Sequence, residues 1–398
     1  MTNRTYLKKF IKHITLLSLL LLSVFLLTAC GKGKEVHPVE FVEKTSEEES
    51  VAIESVSADE MDSEPEDKEY SHGELPDLSE EEEIEVKDTE EAAVLDAQDK
   101  PVVDVIIFMG QSNMSGAGGS AKQAPVVPEG QGYEFRAVSD PTRLYPVVEP
   151  FGINESFVGA ICDFPGAKNG SLVSSFICKY YEETGIPVVA VSASEGATTT
   201  EQWMSDYYQA DLINRYAKTI SWLDSNGYTI RRRYAVWLQG ESDALNNVSG
   251  QEYADNMADI MRNLFLGGLN KVFVITPGRT LTISNFFDKI IKSQIEVCRE
   301  SDYFVLGTTA LSGIKTSHMI DEWHYDQPAL NLIGEETAKA VAYYAINQRE
   351  MCLYDYKNKK TYIPSNSGYN GDEVVEPLDL SDVEELLEFK PENNEDTE

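Results

Sequence analysis

The 398-residue chain predicts an α/β protein, a three-layer α/β/α sandwich around a central five-stranded parallel sheet. Three observations lead there. Short apolar, β-branched runs alternate with longer runs of helical spacing, the pattern of strand–helix units that build a parallel sheet. The strand-like runs are continuously apolar, as strands buried on both faces must be. Each early strand then stops at a cluster of small and polar residues, where open α/β sheets carry their sites.

In chain order, strands are expected at 102–109, 186–192, 234–238, 271–276 and 303–311, and helices at 172–184, 210–224, 251–266, 285–300 and 328–348. The first strand, Val102-Val103-Asp104-Val105-Ile106-Ile107, is a buried-strand signature that ends at Gly110. In the 251–266 segment, Tyr253, Met257, Ile260, Met261 and Leu264 recur at helical spacing, a core stripe. Pro328 suits the first turn of the closing helix. No internal repeat is present.

The flanks differ from this block. Arg4, Lys8, Lys9 and Lys12 precede an aliphatic run that closes on Leu27-Thr28-Ala29-Cys30. That is the layout of a secretory signal over 1–29, too short for a full membrane span. Its ending resembles the bacterial lipobox, which implies lipidation of Cys30 and a membrane-anchored, extracytoplasmic protein at the cell surface. Residues 30–96 are acidic and poor in aromatics, with Glu47-Glu48-Glu49 and the run from Glu80 to Glu83, and read as a disordered spacer. The segment 351–398 reads as an acidic tail. Residues 99–350 hold 20 Lys/Arg and 30 Asp/Glu, a net of −10 against −35 for the chain, so most of the charge lies in the flanks. The folded domain is therefore expected at 97–350. An acidic chain without a basic footprint argues against nucleic acid as a partner.

The candidate chemistry lies at the strand ends. The first strand leads to Gly110-Gln111-Ser112-Asn113-Met114, the second to Glu195-Gly196-Ala197, and the third to Gln239-Gly240-Glu241-Ser242-Asp243. Parallel strands bring these ends to one edge. Asp321-Glu322-Trp323-His324 precedes the last helix. A serine hydroxyl needs a base to become a nucleophile, and histidine is the fitting one near neutrality. His13, His37 and His72 fall in the flanks, leaving His318 and His324. His324 has Asp321 three residues before it, placed to accept from Nδ1–H and leave Nε2 for Ser112. His318 lacks an acid at that spacing and is read as structural. Backbone N–H groups of Ser112 and Gly196 and the amide of Gln239 are the candidate oxyanion donors. Glu241 and Asp243, with Gln111 and Asn113, are expected to support these groups. Two domain histidines and scattered cysteines give no zinc spacing.

Gly110-Gln111-Ser112-Asn113-Met114, Gln239-Gly240-Glu241-Ser242-Asp243 and Asp321-x-x-His324 together resemble the blocks of SGNH-type hydrolases, in the branch of sialate O-acetylesterases and acetylxylan esterases. The resemblance covers most of 102–345. It implies the SGNH/flavodoxin-like fold, with Ser112 as nucleophile, His324 as base, Asp321 as its partner, Gly196 as an oxyanion donor and Gln239 in place of the asparagine used elsewhere in the superfamily. It implies no metal or organic cofactor. Because position 114 is Met, Ser112 does not sit in the Gly-x-Ser-x-Gly elbow of the α/β-hydrolases.

The expected function is thus a serine carbohydrate esterase that removes O-acetyl groups from acetylated xylan, another glycan or O-acetyl sialic acid. The alternative is a glycan-binding lipoprotein that keeps the fold without catalysis, with Trp203, Trp237 and Trp323 as sugar-stacking candidates. A lipid or peptidoglycan ester is a third substrate class. A Cys162–Cys178 bridge and free buried thiols are both compatible with the cysteine pattern, since four cysteines permit three full connectivities.

Overall fold

The computed structural model describes residues 100–156, 159–164, 166–368 and 386. The expected signal, Cys30 and the spacer lie outside the described residues, as does most of the tail.

The strands are β1 (Val102–Gly110), β2 (Gly132–Phe135), β3 (Leu144–Pro146), β4 (Val188–Ser194), β5 (Thr229–Leu238), β6 (Lys271–Ile275), β7 (Phe304–Thr308), β8 (Leu353–Asp355) and β9 (Lys360–Tyr362). The helices are α1 (Ser112–Ser115), α2 (Val173–Thr184), α3 (Thr200–Met204), α4 (Asp206–Ser225), α5 (Glu241–Leu245), α6 (Gly250–Leu266), α7 (Asp288–Glu300) and α8 (Gln327–Asn347). The main sheet runs β3-β2-β4-β1-β5-β6-β7. All neighbours are parallel except β2 and β3.

The expected five parallel strands are β4, β1, β5, β6 and β7, and the sheet is larger than predicted. β2 and β3 add an edge pair in a segment that carries neither a long apolar run nor a strict alternation. Strands of four and three residues leave little periodicity to read.

β1 shows why the prediction worked at the centre. Ile106 and Phe108 point into one core, with Phe176 of α2 and Leu330 and Ile333 of α8. Val105, Ile107 and Met109 point into the other, with Leu212 of α4, Met257 of α6 and Ile290 of α7. A strand covered on both faces needs apolar residues at both parities. From β1 the chain goes to the edge pair β2 and β3, returns with β4 to lie beside β1, and then crosses to β5 on the other side, so the strand order switches direction at β1, the place where open α/β sheets carry their sites.

The fold continues past Glu350, into the segment read from the sequence as an acidic tail. β8 and β9 pair as a hairpin that buries Leu353, Tyr354, Tyr356 and Tyr362. Charge density beyond Tyr362 masked these few aromatics in the sequence.

Candidate active site

β1, β4 and β5 end level with one another: Gly110 pairs with Ser194 on one side and Leu238 on the other. Gly110 and Gly240 make the two central exits. Gly110 has φ +144°, and a Cβ there would stand 1.9 Å from Leu238 O; Gly240 has φ +141°, and a Cβ would meet Ile290 Cγ2 at 2.7 Å. Only glycine fits either turn. Gln111 then laces the exits together: its N–H donates to Leu238 O at 3.0 Å, and its Oε1 accepts from Ser242 N at 3.2 Å.

Ser112 opens the one-turn helix α1 and is half-buried. Its backbone N–H has no hydrogen-bond partner among the described residues. Asp321 Oδ2 lies 2.7 Å from His324 Nδ1, and Asp321 Oδ1 accepts from Trp323 N and His324 N at 2.8 Å each. Burial opposes ionisation of Asp321, but the His324 ring and the two N–H groups outweigh it and hold the carboxyl below its usual range.

Asn113 joins this loop to the turn that holds Ser112. Its Nδ2 donates to Glu241 Oε1 at 2.8 Å and Trp323 O at 3.1 Å, while Tyr325 N points at its Oδ1 at 3.4 Å. Both peptide groups flanking His324 are thereby tied to the residue after Ser112. Gly118 admits the close approach, since a Cβ there would stand 2.9 Å from His324 Cβ. Among the described residues no hydrogen bond joins Ser112 Oγ to His324. In ligand-free sites such contacts are often long and tighten with substrate.

The carboxylates of β5's exit are deeply buried. Burial pushes the Glu241 pKa up, against the Asn113 bond and the nearby His324, and Glu241 Oε2 has no hydrogen-bond partner among the described residues. Asp243 accepts from Thr200 N at 3.1 Å and from Thr200 Oγ1 and Gln239 Nε2 at 2.5 Å; burial raises its pKa too.

Two of the three expected oxyanion donors are committed elsewhere. Gln239 is fully buried, and its Nε2 donates to Thr198 O at 2.9 Å and to Asp243, which uses both of its N–H bonds. Gly196 N donates to Asp163 Oδ1 at 2.7 Å, although a Cβ on Gly196 would stand only 3.5 Å from Ser112 Cβ. Asp163 is the residue that sequence reasoning missed. It lies in a connection with no periodic pattern, thirty-three residues before its partner.

Other expectations change as well. Trp203 and Trp237 are fully buried and pack edge to face at 5.3 Å, so they are core residues rather than sugar platforms. Trp323 is half-buried against Phe286. His318 does have an acid, Asp326, whose Oδ2 lies 2.9 Å from Nδ1; a local bridge between Met319 and Tyr325 folds the two together. Asp326 also caps α8 by accepting from Ala329 N, a structural duty consistent with the reading of His318. Cys162, Cys178 and Cys298 are free thiols, so the Cys162–Cys178 bridge is not formed. Among the described residues, no group of three or more His, Cys, Asp or Glu could hold a metal ion.

Residues 102–343 match the family model described as carbohydrate esterase, sialic acid-specific acetylesterase. The chain belongs to this family. It is accordingly a carbohydrate acetylesterase family member, an ester hydrolase by class. No curated protein matches the chain. Solved structures similar to this esterase include a protein from Arabidopsis thaliana, 21% identical, with a TM-score of 0.46 over 60% of this chain and 98% of that one. NanS is 14% identical, with a TM-score of 0.41 over 62% and 98% of the two chains. Axe2, an acetylxylan esterase from Geobacillus stearothermophilus, is 10% identical, with a TM-score of 0.37 over 60% and 93%.

Proposed function

We propose that the chain is a serine O-acetylesterase acting on an acetylated glycan, with Ser112, His324 and Asp321 as its triad. The observation that carries this reading is the fixed His324–Asp321 pair, held by Asn113 against the turn that begins with Ser112. Ser112 Oγ attacks the acetyl carbonyl carbon as His324 Nε2 takes its proton. Asp321 stays ionised, fixes the tautomer and stabilises the imidazolium. The tetrahedral oxyanion is met by the unpartnered N–H of Ser112. Collapse breaks the C–O bond to the sugar, whose oxygen takes the proton from His324, leaving acetyl-Ser112. Water, deprotonated by His324, then releases acetate and restores the hydroxyl.

Family membership supports a carbohydrate substrate, and xylan and O-acetyl sialic acid are the first two to test. The reading places the enzyme at the cell surface, tethered by a lipid on Cys30; metabolic labelling with a fatty acid that Cys30→Ala abolishes would test that tether. Acetate release from both substrates, and from 4-nitrophenyl acetate, would be compared for wild type and a folded Ser112→Ala. Loss of release in the variant is the expected result. A folded wild type inactive on all three would overturn the esterase and leave a glycan-binding lipoprotein.

A further inference from the structure

A buried polar cluster around Asp163 and Lys168 lies behind Ser112 and belongs to none of the roles assigned so far. The Asp163 carboxylate is buried and takes three donors from three segments. Oδ1 accepts from Gly196 N at 2.7 Å. Oδ2 accepts from Ser115 Oγ at 2.7 Å and lies 3.2 Å from Lys168 Nζ. Ser115 ends the one-turn helix that Ser112 begins, and Gly196 leaves β4 beside Ser112. Lys168, equally buried, donates to Ser194 Oγ at 2.8 Å at the end of β4. Cys162 N donates to Glu195 Oε2 at 2.9 Å, fastening the same loop a second time.

We propose that Asp163 is a positioning residue, a clamp that fixes the distance between the Ser112 turn and the Glu195-Gly196-Ala197 turn and so the shape of the space in which the oxyanion forms. This inference rests on the esterase reading. Its physical basis is the cost of moving the carboxylate. To swing away, Asp163 would leave the buried Lys168 ammonium without its counter-charge, with only neutral oxygens of Ser194 and Ser115 in reach, so it acts as a fixed strut and not as a gate. Lys168 neutralises it, which keeps a bare negative charge away from the developing oxyanion. Ala197, the next residue after Gly196, has φ +60°, a conformation that non-glycine residues keep only where the surroundings over-determine it. The Asp163 bond to Gly196 is one of those constraints.

The test uses the full chain and two independent readouts. In Asp163→Ala, kcat on 4-nitrophenyl acetate is expected to fall about 10–100-fold with KM nearly unchanged, the signature of lost geometry rather than lost binding. The Gly196 amide should exchange with solvent at least about tenfold faster. Asp163→Asn combined with Lys168→Met keeps an acceptor for Gly196 N and a donor for Ser115 without stranding a charge; it should recover most of kcat, while Asp163→Ala with Lys168→Met should not. A folded Asp163→Ala with wild-type kcat overturns the proposal. So does equal activity of the two double variants, which also decides the matter where the single variant fails to fold. Should the wild type itself lack turnover, the esterase reading fails. Unchanged Gly196 exchange in the variants would then overturn the clamp separately.

Discussion

Asn113 and Glu241 form a buried side-chain pair, Nδ2 to Oε1 at 2.8 Å, that joins the exits of β1 and β5. The same Nδ2 reaches Trp323 O, so one amide sets where the His324 loop lies relative to Ser112. Asn113→Ala is expected to lower kcat about 10–100-fold, because a misplacement of about 1 Å can cost that much. It should also destabilise the fold by about 1–3 kcal/mol, since Glu241 loses its donor in a buried site. Steady-state kinetics beside thermal melts would check both.

Asp321→Asn keeps the size of the side chain but presents an NH₂ or a neutral oxygen to His324 Nδ1. The wrong tautomer then becomes competitive, and kcat should fall by about 10²–10⁴-fold, the upper end being the loss seen in such triads. A fall of less than threefold in a folded variant would remove Asp321 from the proposed triad.

For Gln239 the two accounts separate cleanly. An oxyanion donor removed by Gln239→Ala costs about 10²–10³ in rate with stability intact. The structure commits its amide to Thr198 O and Asp243, so the expected outcome is different. Asp243 and Thr198 lose a partner in the core, stability drops by about 1–3 kcal/mol, and kcat of the folded fraction changes by less than the donor account requires. Melting temperatures and active-site-normalised kcat distinguish them.

Glu350 links stability to pH. Burial raises its pKa to about 7, with Lys271 and Asn366 opposing and Asp302 adding to the shift. The folded state therefore holds a proton that the unfolded state has released above its ordinary value of 4.5. This contribution is fully present below the unfolded pKa and is lost as pH rises through about 7. Melts at pH 5 and pH 8 should show a larger loss for wild type than for Glu350→Gln; parallel losses would contradict the assignment.

Trp203 separates core from binding surface. It is fully buried against Trp237, and its indole N–H donates to Thr198 Oγ1 at 2.9 Å. Trp203→Ala should cost about 3–5 kcal/mol of stability. A variant that melts like wild type while losing glycan affinity would restore the stacking role.

The central strands, the helices that cover them and the convergence of Ser112, Glu195–Gly196 and Gln239 at one edge were legible in the local pattern of residues. Those features are local, because a strand buried on both faces needs apolar residues at both parities, and parallel strands carry their carboxyl ends to the same edge. The Asp321–His324 spacing was equally readable, since both partners share one turn. What the remaining polar groups bind was set by how distant segments pack together. Gly196 N–H and the Gln239 amide looked like free donors as long as Asp163, Thr198 and Asp243 had no position, and His318 looked acid-free until the chain folded Asp326 against it. A buried donor takes whichever acceptor the fold brings within about 3 Å, and that partner is set by packing across distant segments, which no local pattern records.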